Sequence, residues 1–355
     1  MSEIVMELKA INKFFGSSQV IHNVNFKVQK GDFVTLLGPS GCGKTTILRM
    51  IAGFYEPDSG EIHLAGRQIE HIPPYARNTA MVFQEYALFP HMSVFENVAY
   101  GLRVRNLDEK TVRKKVGDAL SLMQLSGMEN RYPNQMSGGQ QQRVAVARAL
   151  VMEPDVLLLD EPLSNLDAKL RESVRVELRS IQQQMGLTTI YVTHDQQEAL
   201  SMSDSIIVMK KGFLHQQGKP HEIYFEPATP FVADFIGTTN LIEVTGNNAL
   251  WANYEGQVLE MDAPCPEGTY TASIRPESIR LSEEAKAPHG ENVLPATITH
   301  SMFLGEKMRY FLKDGSGKEW LVDIFDPGRK IYEGEVFMLF LPNRTHVIVG
   351  NSSAE

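Results

Sequence analysis

Nine residues, Gly38-Pro39-Ser40-Gly41-Cys42-Gly43-Lys44-Thr45-Thr46, constrain this chain more than any other stretch. They follow a run of β-forming residues, Phe33 to Leu37, and precede a helix-forming run, Thr45 to Ala52. Strand, glycine-rich loop and helix in that order match G-x-x-x-x-G-K-[ST], a loop that closes backbone N–H groups around phosphate. Glycine permits the tight backbone path, and the helix N-terminus adds its positive dipole end. Lys44 is placed to reach β- and γ-phosphates and Thr45 to ligate Mg²⁺. The expected ligand is therefore a nucleoside triphosphate, and the expected fold an α/β layer arrangement around that strand.

Chain length makes two domains the expectation, because at 355 residues the chain exceeds what one hydrophobic core usually serves. Up to about Phe235, β signals at Thr79–Gln84, Val156–Asp160, Thr188–Thr193 and Ser205–Met209 alternate with helical patterns. The helical patterns fall near Ser93–Leu102, Asp108–Leu125, Gly139–Val151, Ala168–Met185 and Gln196–Met202, which predicts a mainly parallel sheet covered by helices. After Asn240 the pattern turns to short strands separated by turn residues, which predicts a small all-β domain, a barrel. The boundary is expected at 237/238, giving domains 1–237 and 238–355.

Charge and cysteine usage exclude several classes. The net charge is −9, and the part from Thr239 onward holds 10 Lys and Arg against 17 Asp and Glu. An acidic second domain argues against a nucleic-acid partner, since such affinity rests on neutralising phosphates. Cys42 and Cys265 provide neither a disulfide framework nor zinc spacing, which fits a reducing compartment. No apolar run approaches the ~20 residues of a membrane helix.

A second acidic element narrows the chemistry. Val156-Leu157-Leu158-Leu159 ends in Asp160 and Glu161. Asp160 suits Mg²⁺ as the acidic partner of Thr45, and Glu161, one residue on, suits a base for water attacking the γ-phosphate. Further along, Ser137-Gly138-Gly139-Gln140 opens a helical run, which is a second anion-binding helix start. One nucleotide does not need two cradles. The second is expected to complete the site of another subunit.

Taken together, these segments resemble the ATP-binding cassette (ABC) family over roughly residues 5–235. Gln84 matches the family's Q-loop, Ser164-Asn165-Leu166-Asp167 its D-loop, and His194 in Thr193-His194-Asp195 its switch histidine. Phe15, or its neighbour Phe14, matches the aromatic that stacks on adenine; the other reading of each ring is a core side chain. Two departures stand out: Met136 opens the signature where Leu is usual, and Phe15 replaces Tyr or Trp. The resemblance implies an α/β P-loop NTPase domain working as a head-to-tail homodimer with ATP and Mg²⁺. The triphosphate would lie among Gly38, Ser40, Gly41, Cys42, Gly43, Lys44, Thr45 and Thr46 of one copy. Ser137, Gly138, Gly139 and Gln140, with Asp167, would come from the other. Thr45, Gln84 and Asp160 would hold the metal, and Glu161, His194 and Gln84 would act in hydrolysis.

The tail carries a further likeness. Ile274-Arg275-Pro276-Glu277 resembles a signature of the β-rich, OB-like TOBE domain found in importer ATPases, and Phe231 to Gly237 is worded like the polyamine, ferric-iron and phosphonate branch. This implies an ATP-hydrolysing translocase subunit, peripheral on the cytoplasmic face of the inner membrane. Its partners would be a second copy, two integral-membrane permease subunits and, indirectly, an extracytoplasmic solute-binding protein. A soluble family ATPase acting on nucleic acid or ribosomes is the alternative. The single cassette, the absence of a coiled-coil insertion and the acidic tail count against it.

Overall fold

The computed structural model describes residues 3–285, 290–326, 328 and 331–349. By contact the chain divides into two units between Pro220 and His221.

In the first unit the strand Phe33–Leu37 is buried at all five positions, as are Val156–Asp160 and Thr188–Thr193. Strands apolar on both faces belong inside a parallel sheet with both faces covered. They lie in a six-stranded sheet in the order Phe213–Gly218, Ser205–Lys210, Phe33–Leu37, Thr188–Thr193, Val156–Asp160 and Thr79–Val82. Pairing is parallel throughout except at the Phe213–Gly218 edge. Side chains alternate between two cores. Phe33, Leu157, Leu159 and Tyr191 join the core beneath helices Val94–Val104, Glu109–Leu122 and Gly138–Leu150. Val34, Leu36, Leu158 and Val192 join the core with the helix Lys44–Ala52.

Register fixes what meets at the carboxyl edge of this sheet. Leu37 pairs with Thr193, Asp160 with Val192, and Val82 with Leu159. The loop after each strand therefore starts on the same edge, where open α/β sheets bind ligands.

One layer is absent from the sequence reading. A four-stranded antiparallel sheet, ordered Ser18–Gln29, Ile4–Phe15, Ser59–Leu64 and Arg67–Gln68, packs Met6, Leu8, Ile62 and Leu64 into the core of the Lys44–Ala52 helix. Among the described residues no helix is long and apolar enough to cross a membrane.

Among the described residues the second unit is β-stranded apart from two short helices, Pro220–Phe225 at the division and Pro230–Phe235, and the 3-10 turns Pro276–Ser278 and Pro342–Arg344. Two five-stranded antiparallel sheets share a single core that includes Trp320, Tyr310 and Phe340. Asp314 accepts from Trp320 Nε1 at 2.8 Å and from Tyr254 Oη at 2.5 Å, so the buried indole and phenol both find a partner. Within this unit Arg275 gathers the segment from Tyr224 to Thr238. Its guanidinium, 3% exposed, donates to the carbonyls of Tyr224, Ala233, Gly237 and Thr238 at 2.8–3.2 Å and lies 4.1 Å from the Tyr224 ring.

Candidate nucleotide site

The loop Gly38–Gly43 leads into a helix whose start differs from its neighbours. Helices beginning at Val94, Glu109, Gly138 and Ala168 are capped by the side chains of Ser93, Asp108, Ser137 and Asp167. The helix Lys44–Ala52 begins instead at Gly43, with φ 100° and no side-chain cap. Its first N–H groups are left for an anion. Gly38 is required by close packing: a Cβ there would stand 2.3 Å from the Met209 carbonyl oxygen. Lys44, 4% exposed, donates through Nζ to the carbonyls of Gly38 at 2.7 Å and Pro39 at 2.9 Å, which keeps its ammonium on the loop. At the far end of this helix Arg77 donates to the Met50 and Ile51 carbonyls at 2.6 and 2.8 Å, a cation at the helix C-terminus. Both cysteines are free and buried, and burial raises the Cys42 thiol, so a structural filler describes it better than a reactive group.

Asp160 closes the sheet end beside this helix. Thr45 Oγ1 donates to Asp160 Oδ1 at 3.0 Å. Asp160 is 6% exposed, and burial raises its carboxyl above the ordinary range. A buried carboxylate answered by one hydroxyl, with Gln84 lining the same cavity, is a hard-oxygen donor set with room for a divalent cation. The residues thus fit Mg²⁺. No group of three or more His, Cys, Asp and Glu suited to a metal occurs among the described residues.

Glu161 follows with a left-handed backbone, φ 44°. Its N–H continues the ladder to the Val192 carbonyl, and His194 Nδ1 lies 3.0 Å from Oε2. With Glu161 as a carboxylate, which only accepts, the imidazole is the donor of this contact. Glu161 and His194 share a cavity with Ser164, Arg171, Thr193, Asp195 and Glu198. Behind them Glu198, 4% exposed, accepts from the hydroxyls of Tyr191 at 2.7 Å and Thr193 at 2.6 Å. Asp195 caps the helix Gln196–Met202 through the Gln197 and Glu198 amides. His194 is thereby held at the junction of a buried strand and a capped helix.

Gln84 is exposed, just past the strand Thr79–Val82, and its carbonyl accepts from Asn165 Nδ2 at 3.0 Å. Ser137 and Gln140 form a reciprocal capping box at the start of the helix Gly138–Leu150. Neither lines the cavity of Glu161 and His194. Gly138 and Gly139 lie against Leu166 and Leu170, where a Cβ would stand 3.5 and 3.2 Å away, so this start rests on the D-loop. Asp167 has a structural duty as N-cap, accepting from Leu170 N at 3.0 Å. Phe14 and Phe15 are 41% and 44% exposed, which removes the core reading for both. Phe15 meets Tyr55 edge-on at 5.3 Å, with Lys13 Nζ 5.6 Å from its ring.

Three residues near the site escaped the sequence reading: Arg148, Arg171 and Glu198. Arg171 alone had a local signal, its place just after the D-loop. It donates to the Leu166 carbonyl at 3.0 Å and lies 3.8 Å from Asp195.

Comparison with known proteins identifies the family. A family profile described as ABC transporter matches residues 21–164, and one described as TOBE domain matches 272–348. The spermidine/putrescine import ATP-binding protein PotA of Rubrobacter xylanophilus is 46% identical over 326 residues, covering 88% of this chain and 85% of that protein. Its counterpart from Acetivibrio thermocellus is 44% identical over 337 residues, covering 92% and 93%. Among solved structures, cbiO1 from Clostridium perfringens, part of the ABC transporter complex cbiONQ, superposes with a TM-score of 0.58 at 30% identity, covering 62% of this chain and 90% of that one. The ATP-binding cassette MJ0796, a dimer in a post-hydrolysis state with ADP and phosphate, gives 0.54 at 32% identity, covering 61% and 98%.

Proposed function

The chain belongs to the ABC transporter family as the ATP-hydrolysing subunit of an importer, and from that premise we propose that it powers uptake of a polyamine through a separate membrane permease. Both import relatives are named for spermidine and putrescine, and this supports the polyamine over ferric iron and phosphonate. The observation that carries the catalytic reading is the 3.0 Å contact of Glu161 with His194, on the sheet edge where the phosphate loop and Asp160 also begin.

In this reading Gly38, Ser40, Gly41, Cys42, Gly43, Lys44, Thr45 and Thr46 wrap the triphosphate, and Phe15 faces the adenine. Thr45, Asp160 and Gln84 would hold Mg²⁺, which when bound supplies charge neutralisation at the β- and γ-phosphates. Glu161 removes a proton from the water that attacks the γ-phosphorus, and ADP leaves. His194, hydrogen-bonded to that carboxylate, fixes its orientation. Ser137, Gly138, Gly139, Gln140 and Asp167 of a second copy close the site from the other side in a head-to-tail homodimer. The stretch from Tyr86 to Ser93, which follows Gln84 almost directly, would receive a permease helix on the cytoplasmic face of the membrane. A solute-binding protein outside the cell would deliver the cargo.

The test is uptake. The chain is co-purified from gently solubilised membranes with its bound polytopic proteins and reconstituted in vesicles with ATP inside and the binding protein outside. ATP-dependent accumulation of labelled spermidine or putrescine supports the proposal. Uptake of ferric iron or phosphonate alone refutes the cargo, and recovery of soluble partners alone refutes the importer assembly.

A further inference from the structure

The segment following Gln84 holds an unusual backbone. Tyr86 and Ala87 are consecutive non-glycine residues in the left-handed region, with φ 61° and 47°. Such residues carry strain and persist only where surrounding structure enforces them. The Tyr86 ring is buried in the core with Val82 and Val94, while its hydroxyl has no hydrogen-bond partner, so the polar groups that hold the kink are its backbone carbonyls. Both carbonyls of the kink point to one group. Arg148 donates through Nη2 to the Tyr86 oxygen and through Nη1 to the Ala87 oxygen, each at 2.8 Å. Its guanidinium lies 5.5 Å from the Phe89 ring centroid and makes no ion pair among those of the described residues.

Arg148 sits on the same helix as the signature, Gly138–Leu150, eleven residues beyond Ser137. At 1.5 Å per residue the two ends of that lever are about 16 Å apart. On its other flank Gln84 is tied by Asn165, whose neighbour Ser164 donates from Oγ to the Glu161 carbonyl at 2.9 Å. Asn97 completes the frame, accepting from Phe89 N at 2.8 Å and donating to the Phe89, Met92 and Ser93 carbonyls at 3.0–3.1 Å. The stretch from Gln84 to Ser93 is thus suspended between the signature helix side and the Glu161 side.

We propose that Arg148 is a positioning residue for Gln84: by clasping the Tyr86–Ala87 kink it transmits the position of the signature helix to the glutamine beside Asp160. This rests on the assignment of Gln84 to the nucleotide site made above. Asn165 is the opposing tether. A guanidinium is suited to the task because its fixed fork holds two adjacent carbonyls at once, which an ammonium cannot match.

The experiment uses the purified full chain and the variants Arg148→Met, Arg148→Lys, Asn165→Ala and the double change Arg148→Met/Asn165→Ala. Two quantities are read: amide hydrogen exchange over residues 84–90, and kcat and KM for Mg-ATP. Arg148→Met is expected to speed exchange in 84–90 by about tenfold, with the helix Lys44–Ala52 unchanged, and to lower kcat about tenfold with KM within about twofold. Arg148→Lys falls between. The double change is less than additive, because both residues act on one segment. Wild-type exchange and kcat in Arg148→Met overturn the proposal, as does faster exchange spread evenly over the unit, the mark of a merely structural role. Should Arg148→Met fail to fold, Arg148→Lys and Asn165→Ala decide by the same criteria. A wild-type chain that turns over no ATP sinks the functional reading, while the exchange data still decide the clasp.

Discussion

Gly38→Ala tests whether the phosphate loop is held where the structure places it. Gly38 has no left-handed φ, so the cost of a methyl group here is steric. The added Cβ would meet the Cys42 sulfur at 2.7 Å and the Met209 carbonyl oxygen at 2.3 Å. The sulfur can swing aside. The carbonyl cannot, since Met209 lies in the strand Ser205–Lys210, which the sheet fixes against Phe33–Leu37. The contact must widen from 2.3 Å to at least the 3.0 Å below which real Cβ atoms essentially never come, so the loop must shift by about 0.7 Å. A misplacement near 1 Å costs about 100-fold in a preorganised site, and overpacking costs about 1–3 kcal/mol of stability. We therefore expect kcat/KM for Mg-ATP to fall by about 10–100-fold, with a modest loss in melting temperature. Gly66→Ala is the control: Gly66 has φ 77° at a turn with nothing within 4 Å of its Cβ, so it carries backbone strain and no clash. Phosphate release and calorimetric binding of Mg-ATP read the outcome. Turnover in Gly38→Ala within about twofold of the parent, or an equal loss in Gly66→Ala, refutes the reasoning.

Three further outcomes are expected. Glu161→Gln keeps the shape beside His194 but removes the base, so turnover drops by about 10²–10⁴-fold while ATP binding persists; a rate within tenfold of the parent in a phosphate-release assay excludes Glu161 as the base. Asp160→Asn abolishes Mg²⁺-supported turnover yet stabilises the nucleotide-free chain near neutral pH. Burial raises the Asp160 carboxyl, so its contribution to stability is full below the unfolded carboxylate value of about 3.9 and is lost as pH rises through the higher folded value. Urea midpoints of variant and parent should therefore diverge from acid toward neutrality, and a constant gap contradicts this. Arg275→Met leaves four carbonyls without their charged donor, partly offset by the desolvation no longer incurred. The net loss is about 3 kcal/mol, or about 10 °C in the calorimetric transition of the C-terminal unit, and an unmoved transition would show the clamp to be dispensable.

The sequence by itself determined the parts that short-range chemistry encodes. Glycines at loop positions, an apolar strand ending in Asp160-Glu161, a capping serine before two glycines and a strand ending at Thr193-His194 each state their local geometry within a few residues. The helices Ala168–Met185 and Gln196–Met202 follow from their own periodicity. The N-terminal antiparallel sheet was less legible because register shifts between Ile4 and Met6 and between Leu8 and Ile11 break the two-residue alternation that marks a strand. Tertiary structure alone decided that both Phe14 and Phe15 are exposed, that Glu161 and His194 meet across 33 positions, and that the C-terminal unit reaches back to Tyr224. It also decided the arginine clasps. Arg77, Arg148 and Arg275 all spend their guanidinium groups on backbone carbonyls, up to 62 positions away for Arg148. Every residue carries the same carbonyl, so no side chain in the sequence marks the partner, and only the folded path of the chain brings the acceptors to the arginine.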